Sequence, residues 1–277
     1  MAKVRNILGK SFLYIIMLFT VIVSVFPIVW VIISSMKTNA QILSSPFTLP
    51  ESLNLDGYRY IFSRYNFLLY TWNSLWVSVL SAVVSLFIYA LGGYVFAKYK
   101  FPLKGLLYAL FTITLLVPAQ SKAQPIFSLI LDLGLYDNLW GLTLVYLSGG
   151  MAMSLFILKA AFMSIPSALD EAASIDGAGF FRKFFVINLP LAKSGLVTAG
   201  VLMFLNNWNE YFYASLLLTS EHNRTLPLAL QFFGEAFSYD YTNLFAALTV
   251  VVLPGIIIYT IGQEQIQASV AASGVKG

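Results

Sequence analysis

This sequence predicts an all-α integral membrane protein with about six transmembrane helices. Three observations lead to it: 59% of the 277 residues are hydrophobic, only 10% are charged, and the apolar residues form six long blocks. Average soluble domains are about 45–50% apolar and about 25% charged. A soluble protein of this length could not bury so much apolar surface, so we expect the bilayer to be its solvent.

The six apolar blocks are the predicted spans, and each must form a helix because lipid offers no partner for unpaired backbone groups. They cover residues 11–34, 73–97, 105–125, 139–162, 192–218 and 243–263. The first block follows basic residues as a signal peptide does, yet its length of about 24 residues exceeds the usual apolar region of about 7–15. We therefore expect an uncleaved first helix. The third block is the least regular, because Pro118 and the polar residues 120–122 interrupt its end.

Basic residues predict the orientation, because cytoplasmic loops carry an excess of Lys and Arg. With both termini inside, the cytoplasmic segments hold eleven of the 16 bases, namely Lys3, Arg5, Lys10, Lys98, Lys100, Lys104, Lys159, Arg182, Lys183, Lys193 and Lys276. These bases lie in short runs between apolar blocks, so the net charge of +4 indicates topology and not a nucleic-acid surface. We interpret Lys98, Lys100 and Lys104 as topology determinants.

Enzymatic chemistry is not indicated. The sequence has no cysteine and one histidine, His222, which excludes disulfides and any site built from several Cys or His ligands. It also has no phosphate-binding loop motif, dinucleotide fingerprint or HExxH pattern. We expect no catalytic residue, metal or cofactor on this chain, so ATP hydrolysis would require another polypeptide.

Two loops are predicted on the outer side. Residues 37–72 are rich in aromatic side chains, and residues 219–242 carry His222, Arg224, Glu235 and Asp240. Interfacial packing and docking of an outside partner both fit these loops.

The inside loop, residues 164–190, is the most patterned segment. Ser167 with Asp170 predicts a capping box just after Pro166, and Gly177 supplies a left-handed stop, which gives a helix of about nine residues. Asp170 and Glu171 fall in its first turn, where the helix dipole favours carboxylates. One face is predicted to hold Leu169, Ala172, Ala173 and Asp176. Because an isolated helix this short is marginal in water, we expect it to dock on a soluble partner.

These residues resemble a known family. Glu171-Ala172-Ala173, then Gly177 four residues on, then Ile187-Asn188-Leu189-Pro190, is similar to the EAA loop of ABC importer permeases. The likeness extends over nearly the whole chain to the sugar-permease group that includes the maltose permease G subunit. It is carried further by Trp208-Asn209-Glu210, by Arg224-Thr225-Leu226-Pro227 and by the ending Ser273-Gly274-Val275-Lys276-Gly277.

The resemblance implies a type I ABC importer transmembrane fold in the cytoplasmic (inner) membrane of a prokaryote. Residues 1–72 would be the first helix and external loop, 73–263 the permease core with the EAA loop, and 264–277 a cytoplasmic tail. It also implies coupling to an ATPase through Leu169, Asp170, Glu171, Ala172, Ala173, Asp176, Gly177, Leu189 and Pro190. The implied partners are ATPase subunits that bind ATP and Mg²⁺, a second homologous permease, an external solute-binding protein and membrane lipid.

A polar cluster on the fifth span remains open between two roles. Asn206, Asn209, Glu210 and Tyr213 are spaced to share one helix face within the membrane. Ionisable groups there are candidates for a translocation path. They could equally hydrogen-bond to a neighbouring helix or to the second permease. Gly92 and Gly93 of the second span are expected to allow close helix packing.

Two alternatives to sugar import are kept. An ABC importer of another solute, such as glycerol phosphate or an amino acid, would share the EAA loop. A stand-alone secondary transporter would predict intramembrane charge relays and an inverted repeat, which the sequence does not display.

Overall fold

The computed structural model describes the backbone of residues 2–233 and 240–274, and the side chains of residues 10–233, 240–264, 266 and 267. Every regular element in these ranges is a helix, as the composition predicts. Two predicted features lie outside the described residues, namely Glu235 of the second outer loop and residues 275–277 of the tail.

The α-helices follow one another along the described chain. They are α1 (Ala2–Ser34), α2 (Asn39–Ser44), α3 (Asp56–Arg64), α4 (Phe67–Lys98), α5 (Lys104–Ile113), α6 (Ala123–Asp132), α7 (Leu139–Ser148), α8 (Met151–Met163), α9 (Ser167–Ile175), α10 (Phe180–Arg182), α11 (Leu189–Leu191), α12 (Lys193–Trp208), α13 (Phe212–Leu217), α14 (Leu226–Ala229) and α15 (Tyr241–Gly274). Short 3₁₀ turns lie at Thr114–Leu116, Ala119–Lys122, Glu221–Asn223 and Leu230–Phe233, and a π-helix lies at Lys183–Asn188.

Among the described residues, three helices are long and apolar enough to cross a membrane. They are Lys10–Ser34, Phe67–Lys98 and Tyr241–Glu264. Three bent pairs pass the same test: Lys104–Leu116 with Ala119–Asp132 at 107°, Leu139–Ser148 with Met151–Met163 at 50°, and Phe180–Leu191 with Lys193–Trp208 at 81°. Counting each pair as one span gives up to six, the predicted number. The bounds of the fifth differ, because the last pair begins at Phe180, within the predicted loop 164–190, and ends at Trp208, before the predicted end at residue 218. The first bend falls at Pro118, where the sequence predicts an interruption.

The chain divides into two compact units, of which the first lies within residues 1–67 and 230–253. Lys37 is fully buried there, and its Nζ donates to the carbonyls of Ser45 at 3.2 Å and Pro46 at 2.9 Å. A buried ammonium must be hydrogen-bonded, so the connection after α2 folds around it. Every described side chain of α1 from Lys10 to Val29 is exposed, as suits an apolar helix in lipid.

The second unit lies within residues 68–229 and 254–277. Small polar side chains form a buried face of α4, consisting of Ser74, Ser78, Ser81 and Ser85. The Ser85 hydroxyl donates to the Leu147 carbonyl of α7 at 2.9 Å. Small polar residues let membrane helices approach closely and bond across their interface.

Glycines of α4 pack against α8, as predicted. A Cβ on Gly93 would stand 3.0 Å from the Leu158 Cβ and 3.1 Å from the Lys159 amide nitrogen. A Cβ on Gly92 would stand 3.3 Å from Leu155. The two helices could not lie so close with larger side chains here, and this contact positions the loop that follows α8.

Candidate functional site

The loop at residues 164–190 contains the short helix that the sequence predicts. Helix α9 has nine residues and is preceded by Pro166, whose extended backbone ends the previous turn. No side-chain hydrogen bond caps this start in the described structure. The predicted capping box is wrong, because Ser167 already lies inside the helix and Asp170 turns to other partners.

Gly177 ends α9 in the left-handed conformation, with φ of +77°, which confirms the predicted stop. Its N–H donates to the Ser174 carbonyl at 3.1 Å, and the Ala178 N–H donates to the Ala173 carbonyl at 2.8 Å. These bonds satisfy carbonyls that the last turn would otherwise leave unpaired. A Cβ on Gly177 would meet no atom within 4 Å, so the constraint is the backbone conformation and not space.

The faces of α9 differ from the prediction. Ala173 is 7% exposed and packs inward, whereas Leu169 is 43% and Ile175 87% exposed. Ala172 and Asp176 are also exposed. The predicted common face is therefore split, because α9 rests on its own chain through Ala173. The helix therefore has support from its own chain, and its docking on a soluble partner stays a prediction.

A largely buried ion pair holds the inner side of α9. Asp170 Oδ2 lies 3.1 Å from Lys98 Nζ, and the two side chains are 17% and 10% exposed. The ammonium also donates to the Ile165 carbonyl at 2.6 Å, and Asp170 Oδ1 accepts a hydrogen bond from Asn188 Nδ2 at 2.6 Å. Lys98 is thus more than a topology determinant. Sequence reasoning missed the pair because its members are far apart along the chain.

A π-helix, Lys183–Asn188, leads the loop back towards α12. Turns of this kind hold one extra residue and often occur at functional sites. Phe184 is fully buried among aromatic rings of α4 and α8, and Asn188 is also fully buried. Of the last two predicted coupling residues, Leu189 is half-buried and Pro190 is exposed.

The polar cluster predicted on the fifth span does not lie on one helix. The chain leaves helical geometry at residues 209–211, between α12 and α13. Glu210 caps α13 there, since Oε1 accepts from the Tyr213 N–H at 2.8 Å and Oε2 from the Ala214 N–H at 3.1 Å. The sequence predicted one shared helix face for Asn206, Asn209, Glu210 and Tyr213, and that prediction is wrong. A period of 3.6 residues holds only within a continuous helix.

The side chains of Glu210 and Tyr213 connect the break between α12 and α13 to two other helix breaks. The Tyr146 hydroxyl donates to Glu210 Oε2 at 2.8 Å, one turn before the bend between α7 and α8. The Tyr213 hydroxyl donates to the Ala119 carbonyl at 2.9 Å, directly after the bend at Pro118. Broken backbone at membrane depth is tolerated where protein buries it or where it lines a water-filled cavity.

Two amides next to this break are exposed, Asn206 and Asn209. Asn209 Nδ2 donates to the Leu205 carbonyl at 2.9 Å, one turn back on α12. The Asn206 amide lies beside Gly149, 3.8 Å from where a Cβ would stand. Polar side chains on an apolar span face a bundle interior or a water-filled path, so these two are the accessible part of the predicted cluster.

Asp137 fixes the loop after α13, and sequence reasoning did not single it out. Its carboxylate accepts from the Thr219 N–H at 2.9 Å, from the Ser220 N–H at 3.0 Å and from the Ser220 hydroxyl. Burial raises the pKa of Asp137, but these hydrogen bonds outweigh burial and lower that pKa to about 2. A turn-forming Asp-Asn pair after Gly134, with Asp137 at φ of 52°, is the signal that could have found it.

Within the described ranges, no group of three or more His, Asp or Glu side chains is placed to share a metal ion. The α9 side presents an exposed helix with carboxylates, and the interrupted helices present exposed amides.

Comparison with known proteins gives consistent matches. Residues 58–271 match the family described as "Binding-protein-dependent transport system inner membrane component". The chain is 33% identical over 256 residues to the diacetylchitobiose uptake system permease protein NgcG of Streptomyces coelicolor, covering 92% of this chain and 84% of that protein. It is 31% identical over 252 residues to the probable starch degradation products transport system permease protein AmyC of Thermoanaerobacterium thermosulfurigenes, covering 90% and 91%.

A solved structure is also similar. It is the crystal structure of a bacterial ABC transporter involved in the import of the acidic polysaccharide alginate. The TM-score is 0.80 at 25% sequence identity, and the match covers 94% of this chain and 96% of that one.

Proposed function

We propose that the transported solute is a carbohydrate, on the premise that this chain belongs to the family of binding-protein-dependent transport system inner membrane components. The chain is a permease subunit of an ATP-binding-cassette importer with the type I transmembrane fold, and a multi-pass protein of the inner membrane. One observation carries the carbohydrate proposal. The names of the similar proteins refer to diacetylchitobiose, to starch degradation products and to alginate.

ATP hydrolysis is assigned in this proposal to a separate subunit, which binds the nucleotide and Mg²⁺. The absence of a phosphate-binding loop from the sequence supports that division. The exposed side of α9 supports a contact with the ATPase, because it offers the Glu171 carboxylate beside Leu169, Ala172 and Asp176. A short helix tied to its own chain can move as a body when the ATPase subunits close, which would drive alternating access.

The translocation path is proposed to pass the interrupted helices near Asn206 and Asn209. An amide side chain offers both a donor and an acceptor, which suits a solute covered with hydroxyl groups. The exposure of both side chains supports this placement. A second, homologous permease subunit would supply the opposite wall.

The orientation proposed is with both termini in the cytoplasm, supported by the positive-inside distribution of Lys and Arg. The outer side then holds the loop that Asp137 fixes through Thr219 and Ser220. An ordered outer loop is a suitable surface for an external solute-binding protein, because little ordering entropy is lost on docking.

Uptake by the complete importer tests the proposal. The chain is co-purified with a second permease, an ATPase and a solute-binding protein as its proposed partners, and the complex is reconstituted in liposomes. We expect ATP-dependent, saturable uptake of a labelled oligosaccharide, and none by this chain alone. Uptake of glycerol phosphate or an amino acid without any sugar would overturn the carbohydrate proposal. Uptake by the lone chain without ATP would favour a secondary transporter.

A further inference from the structure

We propose that Lys98 is a positioning residue of the coupling step, because its ion pair with Asp170 fastens α9 to the end of α4. The proposal rests on the proposed function, in which the outer side of α9 contacts the ATPase. Lys98 is the last residue of α4, a helix of 32 residues that is long enough to span the membrane. A side chain at this position can carry a displacement of α9 directly to a spanning helix.

The contacts of Lys98 join three segments at one ammonium group. Its Nζ lies 3.1 Å from Asp170 Oδ2 on α9 and donates at 2.6 Å to the carbonyl of Ile165, in the turn before α9. The cation also sits at the C-terminal end of α4, where the helix dipole favours positive charge. The start of α9 and the end of α4 are thus held by the same atom.

Asn188 extends the connection to the other end of the loop. Its Nδ2 donates to Asp170 Oδ1 at 2.6 Å and to the Lys183 carbonyl at 3.1 Å. The Asn188 carbonyl accepts from the Ala192 N–H at 2.9 Å, just before α12. Asp170 therefore contacts α4 through one carboxylate oxygen and, through the other, the segment that leads into α12.

Burial argues for a role beyond surface charge. The side chains of Lys98 and Asp170 are 10% and 17% exposed, and Asn188 is fully buried. Desolvation makes a buried ion pair a weak source of stability, whereas removing one member leaves an unpaired buried charge. Such a pair fixes the geometry of the segments that it joins. On α9, Asp170 faces inward while its neighbour Glu171 is exposed. A displacement of the exposed side of α9 would therefore be transmitted through Asp170 to its inner contacts.

The test compares Lys98→Gln, Asp170→Asn and the double variant in the complete reconstituted importer. The measured quantity is solute transported per ATP hydrolysed. We expect each single variant to lower this ratio about tenfold, the scale of a typical coupling between sites. The double variant should be no worse than either single one, because both remove the same link. Lys98→Arg, which keeps the charge, should retain most of the ratio.

Lys100→Gln is the matched control, since Lys100 is exposed and only two residues away. Thermal stability of each purified complex is measured in parallel. A lower unfolding temperature with an unchanged ratio would overturn the proposal and leave the pair with a purely structural role. A ratio that stays at the wild-type value in both single variants would overturn it too, as would a Lys98→Arg variant as uncoupled as Lys98→Gln.

A separate measurement keeps this proposal distinct from the proposed function. A single cysteine at Ala172, on the exposed side of α9, is cross-linked to the ATPase in the wild-type and Lys98→Gln backgrounds. We expect cross-linking in both, because the outer side is not altered. Absence of cross-linking in the wild-type background would defeat the proposed ATPase contact itself. Its loss only in Lys98→Gln would overturn the positioning role, since the defect would then be one of assembly.

Discussion

The Tyr146 hydroxyl donates to the Glu210 carboxylate at 2.8 Å, so the last turn of α7 is bound to the break between α12 and α13. The same carboxylate accepts two N–H groups of α13. A charged acceptor with three donors is worth more than a neutral one, and it fixes where α13 begins.

Glu210→Gln should therefore destabilise the protein by about 1–3 kcal/mol, because one of the two acceptor oxygens becomes a donor and leaves a buried group unpaired. The free energy of unfolding in detergent is the measurement. Tyr146→Phe removes one bond and keeps the cap on α13, so it should cost less, about 0.5–1.5 kcal/mol. Equal stability of Glu210→Gln and wild type would show that the carboxylate is not what holds this break.

Gly177→Val should uncouple transport, because a side chain in the left-handed region costs about 1–2 kcal/mol and more when it is β-branched. Gly179→Val is the matched control. Both glycines have no atom within 4 Å of an added Cβ, but Gly179 has φ of −72°. Binding-protein-stimulated ATPase activity should fall in the first variant and persist in the second. Equal activity of the two variants would contradict a role for the left-handed stop.

Glu171→Gln should weaken association with the ATPase by about 2–5 kcal/mol if the carboxylate forms a desolvated pair across the interface. The helix dipole alone accounts for only about 0.3–1 kcal/mol. Affinity of the detergent-solubilised permease for the ATPase measures the difference, with the exposed Asp132→Asn as a control remote from the loop. A loss below about 1 kcal/mol would mean that Glu171 mainly stabilises its own helix. The contact with the ATPase would then depend on the shape of the α9 surface.

Cysteines at Asn206 and Asn209 should react with a membrane-impermeant maleimide in the assembled importer, because thiolates form only where water reaches them. The natural chain has no cysteine, so each label reports one position. Leu202→Cys, from the same helix and 36% exposed, should stay unlabelled in lipid. Labelling at Leu202 with none at the two amide positions would place the polar path elsewhere.

Asp137→Asn should destabilise the protein at neutral pH and much less at pH 2. The folded pKa of about 2 lies below the ordinary value near 3.9, so the carboxylate stabilises the fold above about pH 4. That contribution is lost as the pH falls from about 4 to 2. Unfolding temperatures of wild type and variant across this range provide the measurement, with the exposed Glu51→Gln as control. A difference that does not change with pH would contradict the assignment.

Composition and local pattern sufficed for much of the fold. Spans, the nine-residue α9 and the left-handed Gly177 depend on hydropathy, periodicity and backbone preference, all of which are local properties. The helix break at Asn209 and Glu210 was missed because the polar residues from Asn206 to Glu210 were interpreted as one face of a continuous helix, and no glycine or proline marks the break. A side chain that caps the helix following it does not change the spacing of the apolar residues, so periodicity does not reveal it.

The pairing of Lys98 with Asp170 shows a different limit. Each residue has a sufficient local explanation, as a cytoplasmic base and as a first-turn acid. Only the packing of α4 against α8, where glycines let the helices approach, brings the two ends together. Long-range pairs of this kind follow from tertiary geometry, which one sequence does not supply.

The π-helix at Lys183–Asn188 makes the length of this loop a constraint in its own right. One residue corresponds to about 100° of rotation on a helix. Because the π-helix already holds one extra residue, inserting another between Lys183 and Asn188 would turn the Asn188 amide away from Asp170, although every existing side chain would be unchanged. Substitutions in this stretch can therefore be compensated one at a time, whereas an insertion shifts the register of the whole connection to α12.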